Sequence, residues 1–364
     1  MSRSASLPDS SRSIGATMKD VAAQAGVSTA TVSRVLSGKG GVRAGLEQRV
    51  RLAIVALDYR PNQAARRLRE RKSRIIGVLV PDIQIPFFSA IVVHIEQVLQ
   101  EAGYLLLLGN TNDTLADEQR HINTFLSEVV SGVIFAAANI SDTSNYQRLQ
   151  DNGVPLVAID RVPGRMQVDT IQVSNANAAS LAVRHLIAEG HRCIGLITGP
   201  PHISTAVERQ TGYEQALVSA GLPVEPWMIQ QGDYLMEGGY RSMRTLMEGP
   251  GAPSAVLIAN YVMTMGALQY IHENSIEVPE QLALISFDDM PWSVAIRPPL
   301  TAIAQPVAEI GRTAAQLMLD RIQDPFSSTK HILLNAELKL RASCSCGSSL
   351  TRLKQIKPAF PVVD

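Results

Sequence analysis

From Ile75 onward the chain repeats one alternation. A short, continuous apolar run is followed by a polar or glycine-containing loop and then by a stretch of helical length and period. The runs are IIGVLV (75–80), YLLLLG (104–109), GVIFAA (132–137), PLVAID (155–160), CIGLIT (193–198), AVLIAN (255–260) and LALISF (282–287). Runs that are apolar throughout, not alternating, fit strands buried on both faces of a parallel sheet. Between them lie SAIVVHIEQVLQEAG, ADEQRHINTFLSEV, NAASLAVRHLIAEG and GYEQALVSAG. Three of these end in Gly, which suits the left-handed turn that closes a helix. Strand alternating with helix requires right-handed crossovers and so doubly wound sheets. The first four runs form one set and the last three another. The predicted fold class is therefore α/β, with two doubly wound parallel-sheet subdomains and a cleft between them. Ligands of such sheets bind outside the carboxyl ends of the strands.

The residues before Ile75 have a different texture. Residues 1–16 read as a disordered leader. Residues 17–36, TMKDVAAQAGVSTATVSRVL, read as two short helices. Thr17 is a good N-cap, with Asp20 at N3. Val21, Ala22 and Ala25 give the first helix an apolar face, and Gly26 permits the positive φ of a tight turn. Ser28 suits the cap of the second helix. Val32, Val35 and Leu36 point back to the first, which leaves Thr29, Ala30, Ser33 and Arg34 outward. A third helix is expected at about 46–57, with Val50, Ala53, Ile54 and Leu57 inward. The pattern fits a helix-turn-helix, and equally a plain three-helix bundle with a solvated polar face.

Charge separates the same two regions. Lys plus Arg and Asp plus Glu are 33 each, yet residues 1–74 hold 15 basic against 5 acidic side chains. A basic head on an acidic body suggests different partners for each. No apolar run reaches the length of a membrane span, and the N-terminus has no apolar core of a secretory signal. The three cysteines are Cys193, Cys344 and Cys346. Cys193 reads as a small core residue. Cys344 and Cys346 form a C-x-C without the further ligands zinc requires, so no metal and no cofactor is expected. His185 and His191 read as surface or capping residues.

DVAAQAGVSTATVSRVL followed by VRLAIVALDYRPNQAARRL resembles the head of the lactose-repressor and galactose-repressor family of bacterial transcription regulators. The likeness continues to about residue 342. It implies a homodimer that binds a near-palindromic, double-stranded operator and changes affinity when a small, sugar-like effector binds. By that likeness Thr29 and Ala30 face base edges, and Arg34 suits a bidentate contact to guanine. Ser28, Thr31 and Ser33 suit phosphate contacts. RPNQAARRLR resembles the family's hinge helix, which implies minor-groove roles for Asn62, Ala65, Arg67 and Leu68, with Leu68 wedging a base step.

The body resembles the family's periplasmic-binding-protein-like core. Residues at or just beyond strand ends place the cleft. Phe87, Phe88 and Tyr234 are assigned to stacking on a ligand ring. Asp160, Arg209, Asn260 and Asp288 are assigned to its hydroxyl or carboxylate groups. Taken singly, each is as readily a cap or a structural ion pair. Asp289 falls on the same edge. Tyr261, Thr264 and Ala136–Ala138 depart from the family's usual residues, and Trp292 is expected near the cleft or the dimer face. A sugar or sugar derivative is the implied effector, and Arg209 leaves an acidic one open.

The expected organisation is a leader (1–16), a helix-turn-helix domain (17–60), a hinge helix and linker (61–74), an effector-binding and dimerisation domain (75–342) and a flexible tail (343–364). Within the body, one subdomain takes about 75–171 plus 303–333, and the other about 172–302 plus 334–342. The tail is too short for a tetramer-forming coiled coil, so a dimer is expected. No G-x-S-x-G, Walker A, H-E-x-x-H or G-x-G-x-x-G opening a helix is present. The expected protein is cytoplasmic, with no membrane partner and no enzyme activity. The alternatives are a transporter's solute-binding protein and an α/β enzyme.

Overall fold

The computed structural model describes residues 16–37, 41–59, 73–139, 141–164 and 166–344. They fall into two units, a head up to residue 72 and a body from Ser73. In the head, α1 is Met18–Ala25, α2 Thr29–Ser37 and α3 Ala44–Ala56. Val21, Ala22, Ala25, Val32, Val50, Ala53 and Tyr59 form its core, with Val35, Leu36, Ile54 and Leu57 packed against it. Ala16, assigned above to the leader, also packs on this core. Of the expected hinge and linker (61–74), residues 61–72 lie outside the described residues, and Ser73 already belongs to the body, its Oγ donating to the Val129 carbonyl at 2.6 Å.

The body has strands β1 (Ile75–Val80), β2 (Leu105–Asn110), β3 (Gly132–Phe135), β4 (Leu156–Ile159), β5 (Asp169–Val173), β6 (Ile194–Thr198) and β7 (Ile229–Gln231). They are followed by β8 (Ala255–Ile258), β9 (Ala283–Phe287), β10 (Thr301–Ala304), β11 (His331–Leu334) and β12 (Glu337–Lys339). Its helices are α4 (Pro86–Glu101), α5 (Leu115–Ser127), α6 (Ser144–Asp151), α7 (Asn175–Ala188), α8 (Ser204–Ser219), α9 (Met236–Glu248), α10 (Tyr261–Glu273) and α11 (Val307–Gln323).

The strands form two six-stranded sheets of matching order, β11-β5-β4-β3-β1-β2 and β12-β10-β9-β8-β6-β7. The described pairings are parallel except β10 with β12. All seven expected strands are present, and the split after the fourth run matches the division between sheets. β1, β3 and β4 are buried along their whole length, as parallel strands covered on both faces must be. β2 is apolar for another reason. It is an edge strand with Leu105 largely exposed, and its inward face packs under α4.

The sheets are covered on both sides. In the first, α4 and α11 cover one face, and Ile122, Phe125, Tyr146 and Leu149 of α5 and α6 cover the other. In the second, α7 and α8 oppose α9 and α10. Helix pairs approach closely where glycine removes a side chain. A Cβ on Gly266 would stand 1.8 Å from the Met236 carbonyl oxygen, and one on Gly239 2.0 Å from that of Met263, so α9 and α10 meet backbone to backbone.

The chain crosses between sheets three times: between Val173 and Asn175, between Ala304 and Val307, and between Leu334 and Glu337. The second crossing corrects the expected boundary at 303, because β10 belongs to the second sheet through Ala304. The expected tail also starts too early. Ser343 donates to the Leu284 carbonyl and accepts from the Thr301 amide, 2.7 and 2.8 Å. Cys344 is buried, with Sγ 3.2 Å from His185 Nε2 and 3.0 Å from Thr301 Oγ1. Burial pushes its thiol up to about 11. His185 is thus a buried residue, not a surface or capping one, because the returning chain covers it. Cys193 is half-buried, not a core residue. Cys346 lies outside the described residues.

Candidate functional site

In the head, Thr17 and Asp20 form a reciprocal capping box at the start of α1. Gly26, at φ 61°, ends it with the Val27 amide reaching back to the Ala22 carbonyl at 3.0 Å. Ser28 then caps α2: its Oγ accepts from the Thr31 amide at 3.2 Å and lies 3.0 Å from Thr31 Oγ1. These three devices fix the turn and leave Ser28, Thr29, Ala30 and Arg34 exposed, with Thr31 and Ser33 half-buried. Short polar side chains at the first turn of an exposed helix suit close approach to a nucleic-acid groove. Asn62, Ala65, Arg67 and Leu68 lie outside the described residues.

In the body, all seven residues assigned to the cleft line one cavity of about 320 Å³. Phe87 and Phe88 come from the start of α4, and Asp160 follows β4. Arg209 projects from α8, Tyr234 follows β7, Asn260 ends the segment after β8, and Asp288 follows β9. The cavity thus lies where both sheets present their carboxyl ends. Three of these residues occupy the left-handed region: Asp160 at φ 56°, Tyr234 at 63° and Asp288 at 70°. Such backbone is strained for a non-glycine residue and concentrates at binding sites. Asp160 and Asp288 are equivalent positions of the two sheets. The amide of each donates to the neighbouring strand at 3.0 Å, Asp160 to Ile171 and Asp288 to Ile303.

The electrostatics centre on two arginines and two buried carboxylates. Arg209 donates Nε to Asn175 Oδ1 at 2.8 Å and Nη1 to the Ala259 carbonyl, and it stacks over Phe287 with Cζ 4.1 Å from the ring centroid. Arg161 donates Nη1 to Asp113 at 2.5 Å, and its Nε lies 3.8 Å from Asp160. Gln305, in the second crossing, donates to Asp288 at 2.7 Å. Burial pushes both Asp160 and Asp288 above the usual carboxylate range, and Arg161 and Arg209 for the first, Arg209 for the second, pull back against it. Arg161 Nε, Tyr234 Oη and Gln305 Oε1 are buried without a hydrogen-bond partner; Thr205 is near the Tyr234 hydroxyl but outside bonding geometry. All three residues line the cavity, and a bound ligand is one way such orphan groups are satisfied after a small side-chain shift.

Some assignments are modified. Asn260 lines the cavity but also caps α10, its Oδ1 accepting from the Met263 amide at 2.8 Å. Asp289 faces away from the cavity into a bidentate pair with Arg341, both contacts 2.7 Å. Thr264 is fully buried and bonds Ser286 at 2.7 Å. Trp292 packs on the α9–α10 side of the second sheet. The cavity residues that sequence reasoning missed include Asp82, Asn112, Asp113, Thr205 and Gln305. Gly199, in the LITGPP stretch, does not line the cavity but makes room for Tyr234: a Cβ there would stand 2.2 Å from that ring.

A capped helix-turn-helix and a two-sheet body with its cavity at the strand ends define a DNA-binding regulator with a binding-protein-like body. A model of the bacterial regulatory proteins, lacI family, matches residues 17–62, and one of the periplasmic binding protein-like domain matches 183–344. The HTH-type transcriptional repressor CytR of Escherichia coli (strain K12) is 36% identical over 90% of this chain and 96% of its own. The ribose operon repressor of the same strain is 34% identical over 90% of this chain and 99% of its own. The crystal structure of the lac repressor dimer bound to operator and the anti-inducer ONPF matches with a TM-score of 0.81 and 28% identity, over 91% of this chain and 99% of that one. The regulator CelR in complex with cellobiose matches at 0.70 and 30%, over 90% and 99%. The chain belongs to the lacI family of bacterial regulatory proteins.

Proposed function

We propose that this regulator acts as a homodimeric repressor of a near-palindromic operator and that a small, sugar-like effector in the body's cavity alters its grip on DNA. The observation that carries the effector half is convergence: seven residues chosen from scattered strand ends line one cavity. The DNA half is supported by the exposed first turn of α2 and by the basic excess of residues 1–74. Thr29 and Ala30 read base edges, Arg34 takes a guanine, and Ser28, Thr31 and Ser33 face phosphates. Asn62, Ala65, Arg67 and Leu68 enter the minor groove at the operator centre. The regulator works in the cytoplasm beside its operator and has no catalytic step; among the described residues no helix is long and apolar enough to cross a membrane.

Coupling requires only that the effector bind two states of the body unequally. The experiment is selection of duplexes from a random pool by the full chain, followed by titration of the winner across salt. A palindromic winner is expected, with affinity falling steeply as salt rises. Arg34→Ala should relax preference at one base pair per half-site. No enriched sequence, or a uniform affinity loss for Arg34→Ala across all operator variants, counts against these roles.

A further inference from the structure

The charge lining the cavity is lopsided. Five aspartates line it, Asp82, Asp113, Asp160, Asp233 and Asp288, against two arginines, Arg161 and Arg209; Asp233 is paired with Arg241 at 3.1 Å, and burial draws Asp160 and Asp288 toward their protonated forms. Both arginines are already partly engaged by protein groups. Arg209 is committed to Asn175, the Ala259 carbonyl and the Phe287 face. Arg161 is drawn to Asp113 through Nη1, and its Nε lies near Asp160. Among the lining residues, Arg161 Nε, Tyr234 Oη and Gln305 Oε1 are buried without a hydrogen-bond partner.

We propose that the cavity selects an uncharged, hydroxyl-rich effector over anionic ones, and that Asp113 is the residue setting this preference. The proposal rests on the reading of this cavity as the effector site. Hydroxyl groups exchange hydrogen bonds with Asp160 and Asp288 in either protonation form, and accept from the arginines, without adding charge. A phosphate or carboxylate at Arg161 would lie beside Asp113 and Asp160, in a site where burial weakens the screening of that repulsion. Asp113 is suited to tuning because it is half exposed, with a side-chain exposure of 41%, while the arginine it holds is 6% exposed. It stands in the left-handed region at φ 54°, in the loop between β2 and α5 whose Thr114 caps that helix. The acidic effector that Arg209 left open in the sequence is thereby disfavoured.

Matched pairs test this on the full chain by thermal shift and calorimetry: ribose with ribose 5-phosphate, glucose with glucuronate, and uridine with uridine 5′-monophosphate. Within any pair that binds, the uncharged member should bind at least about ten-fold tighter. Asp113→Asn keeps the side chain's shape, removes one charge and releases Arg161, and should shrink that ratio by about ten-fold. Asp82→Asn lowers the wall charge without touching Arg161 and should shrink it less, which keeps the test alive if Asp113→Asn folds poorly. An anionic member binding as tightly as its uncharged partner overturns the charge rule while keeping the site. A ratio unchanged in both variants overturns the role of the carboxylates. Binding that survives Phe88→Ala and Asp160→Ala undiminished, or no binder in either arm, overturns the underlying reading of the cavity instead.

Discussion

Asp169→Asn should destabilise the body more than any change of a single exposed charge. Asp169 opens β5 at 2% exposure and accepts from Arg321 Nε at 2.9 Å, from Arg321 Nη2 at 2.8 Å and from the Lys330 amide at 2.8 Å. Arg321, in the last turn of α11, also donates to the carbonyls of Ser327 and Ser328. One carboxylate therefore fastens the first residue of β5, the end of α11 and the loop leading into β11. Asparagine keeps the shape but turns an NH₂ toward the guanidinium and leaves its charge uncompensated. Removing one partner of a buried pair costs about 3–5 kcal/mol. Arg321 keeps its carbonyl partners and some contact with water, so about 2–3 kcal/mol is expected. For a body of this size that corresponds to a Tm lower by roughly 3–6 °C. Scanning calorimetry of the full chain measures it, with Asp320→Asn as the control. Asp320 pairs with Lys330 at 3.4 Å with both side chains about half exposed, and such a pair contributes less than about 1 kcal/mol. Adding Arg321→Gln to Asp169→Asn should cost little more, because the two residues share one interaction. If Asp169→Asn melts together with Asp320→Asn, the carboxylate does not fasten these elements.

Val129 closes α5 at φ 53° with its side chain largely exposed, so Val129→Gly should gain about 0.5–1 kcal/mol, read as a higher urea midpoint at unchanged slope. Gly266→Ala should cost about 2–4 kcal/mol, since the new methyl meets the Met236 carbonyl and neither backbone has room to retreat; a urea midpoint close to wild type would show that α9 and α10 separate easily. Asp288 is held above its ordinary 3.8, so its native form favours the proton. Its burial costs nothing in acid and costs more as pH rises from 3.8 through the raised value. Asp288→Asn should therefore gain stability relative to wild type between pH 4 and 7 while weakening effector binding; a difference that does not vary with pH would refute the linkage.

Legibility followed the type of signal. Strands buried on both faces announce themselves, and the seven long apolar runs all became strands. β5 (DTIQV) did not, because polar residues interrupt it, nor did the edge strands β11 and β12, which are too short to carry a pattern and pair with strands far away in sequence. The glycines after α4, α7 and α8 were legible because only φ is at issue there. At the cavity, Asp160 and Asp288 follow strands and Arg209 sits in the second turn of α8, all in recognisable stretches. Asn112, Asp113 and Gln305 sit in loops without periodicity, and only the fold brings them together. His185 and Cys344 failed for the same reason. A helix exit and a chain end look solvent-facing until the last segment is laid across them.

The three crossings also bear on how the protein is made. β5 gains its outer neighbour from β11, about 160 residues further along, and β10 gains its own from β12 near the end of the described chain. At typical synthesis rates the first sheet waits roughly 10–30 s with β5 as an open edge and without the covering α11. An open edge strand is a template for unwanted pairing, so chaperone demand should be greatest while the second sheet is still emerging. Truncation near the C-terminus should then harm both sheets at once, and loss of the last few strands should yield aggregated chains, not a folded first half.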